Sequence, residues 1–215
     1  MTVSKRYLDS GFDPIASVYD TLAWLVFGQA LRNAQKHWLS QVPVGSEILI
    51  IGGGSGWLLA QVLDVCSPRK VIYIDASPKM IQLARHKVND DKRVEFRISN
   101  ETAIRPTDQV QVVMTPFILD LFTLDRLTTN VLPRLYGVLQ PGGYWLGTDF
   151  TQTDKWWQGG LQWLMYRFFR FISHIEAKRL PDWLGLVNAL PDIQPRGLAR
   201  FYDGMVVAAC WQKQP

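Results

Sequence analysis

Residues 48–57 read ILIIGGGSGW, an apolar run of β-forming residues that ends in four glycines within five positions. An unbroken apolar run of this length is the pattern of a parallel strand covered on both faces, because successive side chains point to opposite sides. Glycines at its end free the backbone for positive φ and for close approach by a neighbouring group. A strand of this kind needs partners with the same two-sided burial, which confines the chain to an α/β architecture.

The rest of the chain supplies those partners. Ser55 to Val65 has helical spacing, and VIYID (71–75) reads as a second buried strand. SPKMIQLARHKV follows as a second helix, with Ser77 as N-cap and Pro78 at the first helical position. RVEFRI and VQVVMT read as the third and fourth strands. Only about ten residues, Ser99 to Gln109, join them, too few for a crossover helix. A link from the third strand to the far side of the first must span roughly 14 Å of sheet. Ten extended residues reach about 33 Å, so a loop suffices.

LDRLTTNVLPRLYGVL is a long amphipathic segment, QPGG a turn signal, and YWLGTDF a fifth strand. Near the end of the chain, Asp203-Gly204 between two β-prone runs signals a hairpin. The order predicts a Rossmann-like, doubly wound, mostly parallel seven-stranded sheet with a C-terminal antiparallel hairpin. It divides one domain into a helical cap (1–45), a βα core (46–150), an aromatic-rich helical insertion (151–191) and a closing hairpin (192–215).

Length and composition agree with this division. The chain's 215 residues suit one sizeable domain, and 47% hydrophobic with 20% charged residues is a globular balance. Cys66 and Cys210 match no metal or redox spacing and read as reduced thiols of a cytoplasmic protein. The N-terminus lacks an apolar signal region, and no apolar stretch reaches the roughly 20 residues of a membrane span. A net charge of +4 is mild and points to no nucleic-acid partner.

In a doubly wound sheet a ligand lies at the carboxyl ends of the strands, beside the first strand. Gly52, Gly53, Gly54, Ser55 and Gly56 stand there, and the following helix presents its N-terminal amides. Asp75, at the end of the second strand, is placed to accept both hydroxyls of a ribose. Taken without a ligand, the same residues read as a tight strand-to-helix turn and a helix-capping acid. The glycines are spaced G-x-G-x-G, and Trp57 stands where a dinucleotide fingerprint has its third glycine. The indole would also crowd the helix–strand approach of a dinucleotide site. The phosphate-loop motif is absent.

IIGGGSG, IDASPKMIQLAR, LQPGGYWL and the N-terminal FDPIASVYDTLAWLVFG together resemble the class I S-adenosylmethionine-dependent methyltransferases. The similarity is greatest to the ubiquinone/menaquinone-biosynthesis branch and its small-molecule relatives, over about 12–150 plus the closing hairpin. The resemblance implies S-adenosylmethionine as cofactor, with its methionine portion against Gly52 to Gly56 and its ribose on Asp75. It places the adenine between Ala76, Ser77 and Met80 on one side and Asn100 or Glu101 on the other. Thr115 and Phe117 would face the sulfonium, and Tyr19 would close over the cofactor. Tyr19 equally fits a packing face with Ile15, Val18, Leu22 and Val26. The chain departs from the pattern at Ile50, where the family usually has an acid.

Methyl transfer from a sulfonium needs positioning and exclusion of water, and a base only if the acceptor must lose a proton. Asp120 and Asp149, after the fourth and fifth strands, are the candidate bases, with His174 in the insertion as a third. Each Asp also reads as a helix cap or surface acid. His37 and His86 fall on surface helices. No metal site is expected. Trp157, Leu161, Leu164, Phe168 and Ile172 share one helical face of the insertion, and Trp156, Trp163, Arg167, Arg170 and His174 the other. Aromatics interleaved with cations suit an apolar acceptor or weak membrane-surface contact, and equally a packed helix with solvated arginines. The expected partner is a small, apolar or aromatic acceptor. Two rival readings are a nicotinamide-dependent oxidoreductase and a non-catalytic interaction module with a vestigial cofactor site. Ile50 is the feature that favours the module.

Overall fold

The computed structural model describes residues 27–151 and 180–215. Seven strands form one sheet in the order β3-β2-β1-β4-β5-β7-β6. They are β1 (Glu47–Ile51), β2 (Lys70–Asp75), β3 (Val94–Ile98), β4 (Val110–Pro116), β5 (Leu139–Phe150), β6 (Ile193–Phe201) and β7 (Val206–Lys213). The first five run parallel, and β7 pairs antiparallel with both β5 and β6. The helices are α1 (Ala30–Lys36), α2 (Trp57–Val65), α3 (Pro78–Lys87), α4 (Leu124–Arg126), α5 (Leu132–Val138) and α6 (Trp183–Asn188).

The unbroken apolar strands divide their side chains between two cores, as two-sided burial requires. Ile48, Ile50, Val71, Tyr73, Val112 and Met114 pack on one face beneath Leu58, Leu59 and Val62 of α2 and Ile81 and Ala84 of α3. Leu49, Ile51, Ile72, Ile74 and Val113 pack on the other beneath Leu132, Leu135 and Val138 of α5 and Trp183 and Val187 of α6. Cys66 and Cys210 are buried free thiols, and burial pushes each up to about 11. Among the described residues no helix is long and apolar enough to cross a membrane.

Local signals set several element ends. Ser77 caps α3 by accepting the Met80 N–H at 3.0 Å, with Pro78 in the first turn. The loop between β3 and β4 crosses without a long helix, and Arg97 ties it down. Its guanidinium donates to the Ala103 carbonyl and the Asp108 carboxylate, both at 2.8 Å. Burial raises Asp108, but Arg97 and the Arg105 N–H together outweigh it and hold the carboxyl below its usual range.

Two elements differ from the sequence expectation. QPGG is not a turn ahead of β5: the strand begins at Leu139 and runs through it. The extra residues are absorbed by a register shift opposite Val110 and Val112, with Gly142 at φ 79°. The amphipathic segment is not one regular helix. Between α4 and α5, Leu127–Val131 form a π-helical turn. Pro133 has no N–H to bond the carbonyl of Thr129, and its ring crowds that carbonyl, so the turn widens there.

Candidate cofactor and acceptor site

β1 and β4 are neighbours in the sheet, while β1 connects through α2 to β2 on its other side. The strand order therefore reverses beside β1, the switch point at which such sheets bind ligands. The glycine turn stands at that point, and protein groups fill most of the space its missing side chains would take. A Cβ on Gly52 would collide with the Ile118 side chain, which follows β4. One on Gly53 would collide with the ring of Tyr73, whose hydroxyl donates to the Gly54 carbonyl at 2.9 Å. One on Gly56 would lie 2.7 Å from the Ala84 Cα, so this glycine lets the start of α2 meet α3. Gly54 differs, since nothing lies within 4 Å of its Cβ position and its φ is +65°.

Trp57 packs at the margin of the core beneath α2 and α3. Its half-buried indole lies beneath Arg32, 5.3 Å from the guanidinium carbon. The G-x-G-x-G spacing separates this turn from a dinucleotide fingerprint. Ile50, where an acid was expected by resemblance, is fully buried in the core below the turn.

Asp75 ends β2 beside the turn, half-buried. One carboxylate oxygen accepts the Gly54 N–H at 2.8 Å and the other the Ser77 N–H at 2.9 Å. Two backbone donors from different elements thus fix the plane of the carboxylate next to the open face of Gly54. Ala76 is half-buried and Met80 nearly enclosed, one helical turn further on.

The loop after β3 carries Asn100 and Glu101 in different roles. Asn100 caps the short turn Glu101–Ala103, accepting from the Thr102 N–H at 3.0 Å. Glu101 is 2% exposed, and both its oxygens accept from Arg126, at 2.9 and 2.7 Å. Its carboxylate is engaged in an internal ion pair. Arg126 also lies over the Phe122 ring, 4.8 Å from its centroid.

On the far side of the turn, Thr115 is fully buried, and its hydroxyl accepts the Trp145 indole N–H at 3.1 Å. That side chain is turned into the core. Phe117 is half-buried at φ 52°, a conformation rare for a non-glycine residue, and its N–H bonds the Thr148 carbonyl at 2.7 Å. Its ring packs 5.3 Å from Phe150, which in turn meets Phe27 at 5.5 Å. Tyr202, in the hairpin turn, lies 5.0 Å from Phe27. Aromatic rings therefore gather at the carboxyl ends of β4 and β5.

Asp120 and Asp149 come together beneath that cluster. Asp149 is fully buried and accepts the backbone N–H groups of Leu119, Asp120 and Phe150. Burial, then the charge of the neighbouring Asp120, raises Asp149 well above the usual carboxylate range. His37 and His86 are exposed on the surface, as their helices suggested. Tyr19 and His174, and the aromatic stripe of the insertion, lie outside the described residues. The Tyr73–Gly53 packing, the Ile118–Gly52 contact and the Glu101–Arg126 pair are absent from the sequence reading. Each joins residues far apart in the chain, and no local pattern marks them.

Comparison with known proteins agrees with this geometry. Residues 48–143 match the family model of a methyltransferase domain. The matched stretch runs from β1 into β5, the part of the sheet that carries the glycine turn and Asp75. The chain is similar to the demethylmenaquinone methyltransferase of Tropheryma whipplei (strain Twist), at 25% identity over 189 residues, covering 80% of this chain and 75% of that protein. Its fold is shared with the 1,6-didemethyltoxoflavin-N1-methyltransferase of Burkholderia thailandensis, solved with 1,6-didemethyltoxoflavin and S-adenosylhomocysteine (TM-score 0.66, 18% identity, 95% of this chain and 87% of that one). It is shared also with DhpI in its complex with SAH (TM-score 0.71, 18% identity, 97% and 96%).

Proposed function

We propose that the protein binds S-adenosylmethionine on the Gly52–Gly56 turn and transfers its methyl group to a small apolar or aromatic acceptor. The observation that carries this reading is the Asp75 carboxylate, held by Gly54 and Ser77 N–H groups at the switch point beside an open glycine. The residues present fit the cofactor. The carboxylate suits a ribose diol, and open space at Gly54 admits the methionine end. On the adenine side, Asn100 caps the turn Glu101–Ala103 while Glu101 is engaged by Arg126, and we take Asn100 as the candidate contact.

The cofactor supplies a methyl group already activated on a sulfonium, displaced in line as the carbon–sulfur bond breaks and the bond to the acceptor forms. The protein's part is to hold the two partners in line and to keep water out. Asp75 would orient the nucleoside. Phe117 and Phe150 would form an apolar wall on the acceptor side, where a flat ring packs well. Where the acceptor must lose a proton, Asp120, three residues after Phe117, is the candidate base.

The matched relative acts, by its name, on demethylmenaquinone, and an apolar ring acceptor of that chemistry agrees with the aromatic wall. The reading is tested by incubating the protein with labelled S-adenosylmethionine and a panel of quinols and phenols. Label transfer to a ring acceptor, abolished by Asp75→Ala, is expected. Binding of NADH in place of S-adenosylhomocysteine would instead support an oxidoreductase.

A further inference from the structure

The segment that follows β4 is held in place by one side chain. Asp149, near the end of β5, accepts the N–H groups of Leu119 and Asp120 on one oxygen, at 2.8 and 3.2 Å. Its other oxygen accepts the Phe150 N–H at 2.8 Å. The turn Leu119–Leu121 that it holds begins directly after Ile118, whose side chain fills the space over Gly52. On the other side of Ile118, Phe117 is pinned to the preceding residue of β5 by its N–H bond to Thr148. Two successive residues of β5, Thr148 and Asp149, therefore set how Ile118 lies on the first glycine of the turn.

Asp149 is fully buried and Asp120 is 5% exposed, so the two carboxyl groups meet out of water. Two ionised carboxylates in such a place would repel strongly, and a shared proton removes the repulsion. Among the described residues, the neighbours from other packed elements are uncharged: Val207, opposite Asp149 on β7, and Trp183 of α6, which bonds the Phe150 carbonyl. Among the described residues, Asp120 is the titratable group that faces Asp149.

We propose that Asp149 is a positioning residue that acts as a neutral carboxylic acid, donating to Asp120 while accepting from the turn, and so fixes Ile118 over Gly52 to shape the S-adenosyl pocket. The proposal rests on the cofactor reading given above. Ionising Asp149 sets two carboxylates against each other and loosens the turn. Binding at the glycine turn therefore weakens as pH rises through the Asp149 titration. An amide at 149 keeps one acceptor for the turn and offers a donor for Asp120, gives up the acceptor for the Phe150 N–H, and cannot ionise.

The test is calorimetric titration of the full chain with S-adenosylhomocysteine, from acid pH upward as far as the chain stays folded, for wild type, Asp149→Asn and Asp149→Ala. The account expects Asp149→Asn to bind within about threefold of wild type at the acid end, and Asp149→Ala to bind about tenfold more weakly or worse. It also expects the wild-type affinity to fall with rising pH while that of Asp149→Asn stays level. Parallel pH profiles for wild type and Asp149→Asn, or equal losses in both variants, would overturn it. If Asp149→Ala does not fold, the comparison of wild type with Asp149→Asn decides alone. Failure of the cofactor reading looks different, as no binding by wild type at any pH. The melting temperature then still reads the acid pair: Asp149→Asn should gain on wild type as pH rises, and a constant difference would overturn the proposal.

Discussion

Gly53 sits where a methyl group would meet the Tyr73 ring, and Tyr73 is fully buried between β1 and β3 with no room to retreat. Gly53→Ala should therefore destabilise the fold by about 1–3 kcal/mol, the usual cost of overpacking a close-packed site. Chemical denaturation measures it. Tyr73→Phe removes a single bond, to the Gly54 carbonyl, and should cost about 1 kcal/mol. Gly54→Ala meets no neighbour, and its cost is the left-handed backbone alone, about 1–2 kcal/mol. The ordering of these variants separates glycines required by the protein's own packing from the one that leaves room for a ligand. A larger loss at Gly54 than at Gly53 would contradict that separation.

At the level of elements, the Glu101–Arg126 pair joins the loop after β3 to α4 across 25 positions of sequence. Both side chains are almost wholly buried. Arg126→Met strands an unpaired carboxylate and should cost about 3–5 kcal/mol by denaturant unfolding. Adding Glu101→Gln should recover a large part of that loss, and a strictly additive double variant would rule the coupling out. Elements that follow local rules were legible in the sequence. The buried parallel strands, the Ser77-Pro78 helix start and the Asp203-Gly204 hairpin each depend on residues adjacent in the chain. QPGG misled because a glycine-rich bulge inside a strand and a free turn use the same residues. The π-helical turn before Pro133 was hidden by regular amphipathic spacing on either side. At the site, the positions of the glycine turn and Asp75 could be read. The partners that hold them, Tyr73, Ile118 and Ala84, could not, because tertiary packing alone brings them there.

Across the whole molecule, two buried acids give stability opposite dependences on pH. Asp108 is lowered, so its contribution is present above the unfolded carboxylate value of about 3.9 and is lost as pH falls through its folded value. Asp149 is raised, so the folded state holds a proton that the unfolded chain releases, and stability declines as pH rises from about 3.9 toward the folded value. Arg97→Met should flatten the acid limb of a stability profile and Asp149→Asn the opposite limb, each without altering the other. Thermal unfolding followed across pH by circular dichroism checks both slopes. The two acids also belong to different parts of the architecture. Asp108 anchors the β3–β4 loop on one side of the switch point, and Asp149 anchors the β4 turn on the other.

The central claim is that the glycine turn and Asp75 form an S-adenosyl site, and calorimetric titration with S-adenosylhomocysteine tests it most directly, with NADH as control. Micromolar binding of S-adenosylhomocysteine alone, lost in Asp75→Ala while the variant remains folded, is the expected result. Binding that survives Asp75→Ala unchanged, or binding of NADH in its place, would contradict it.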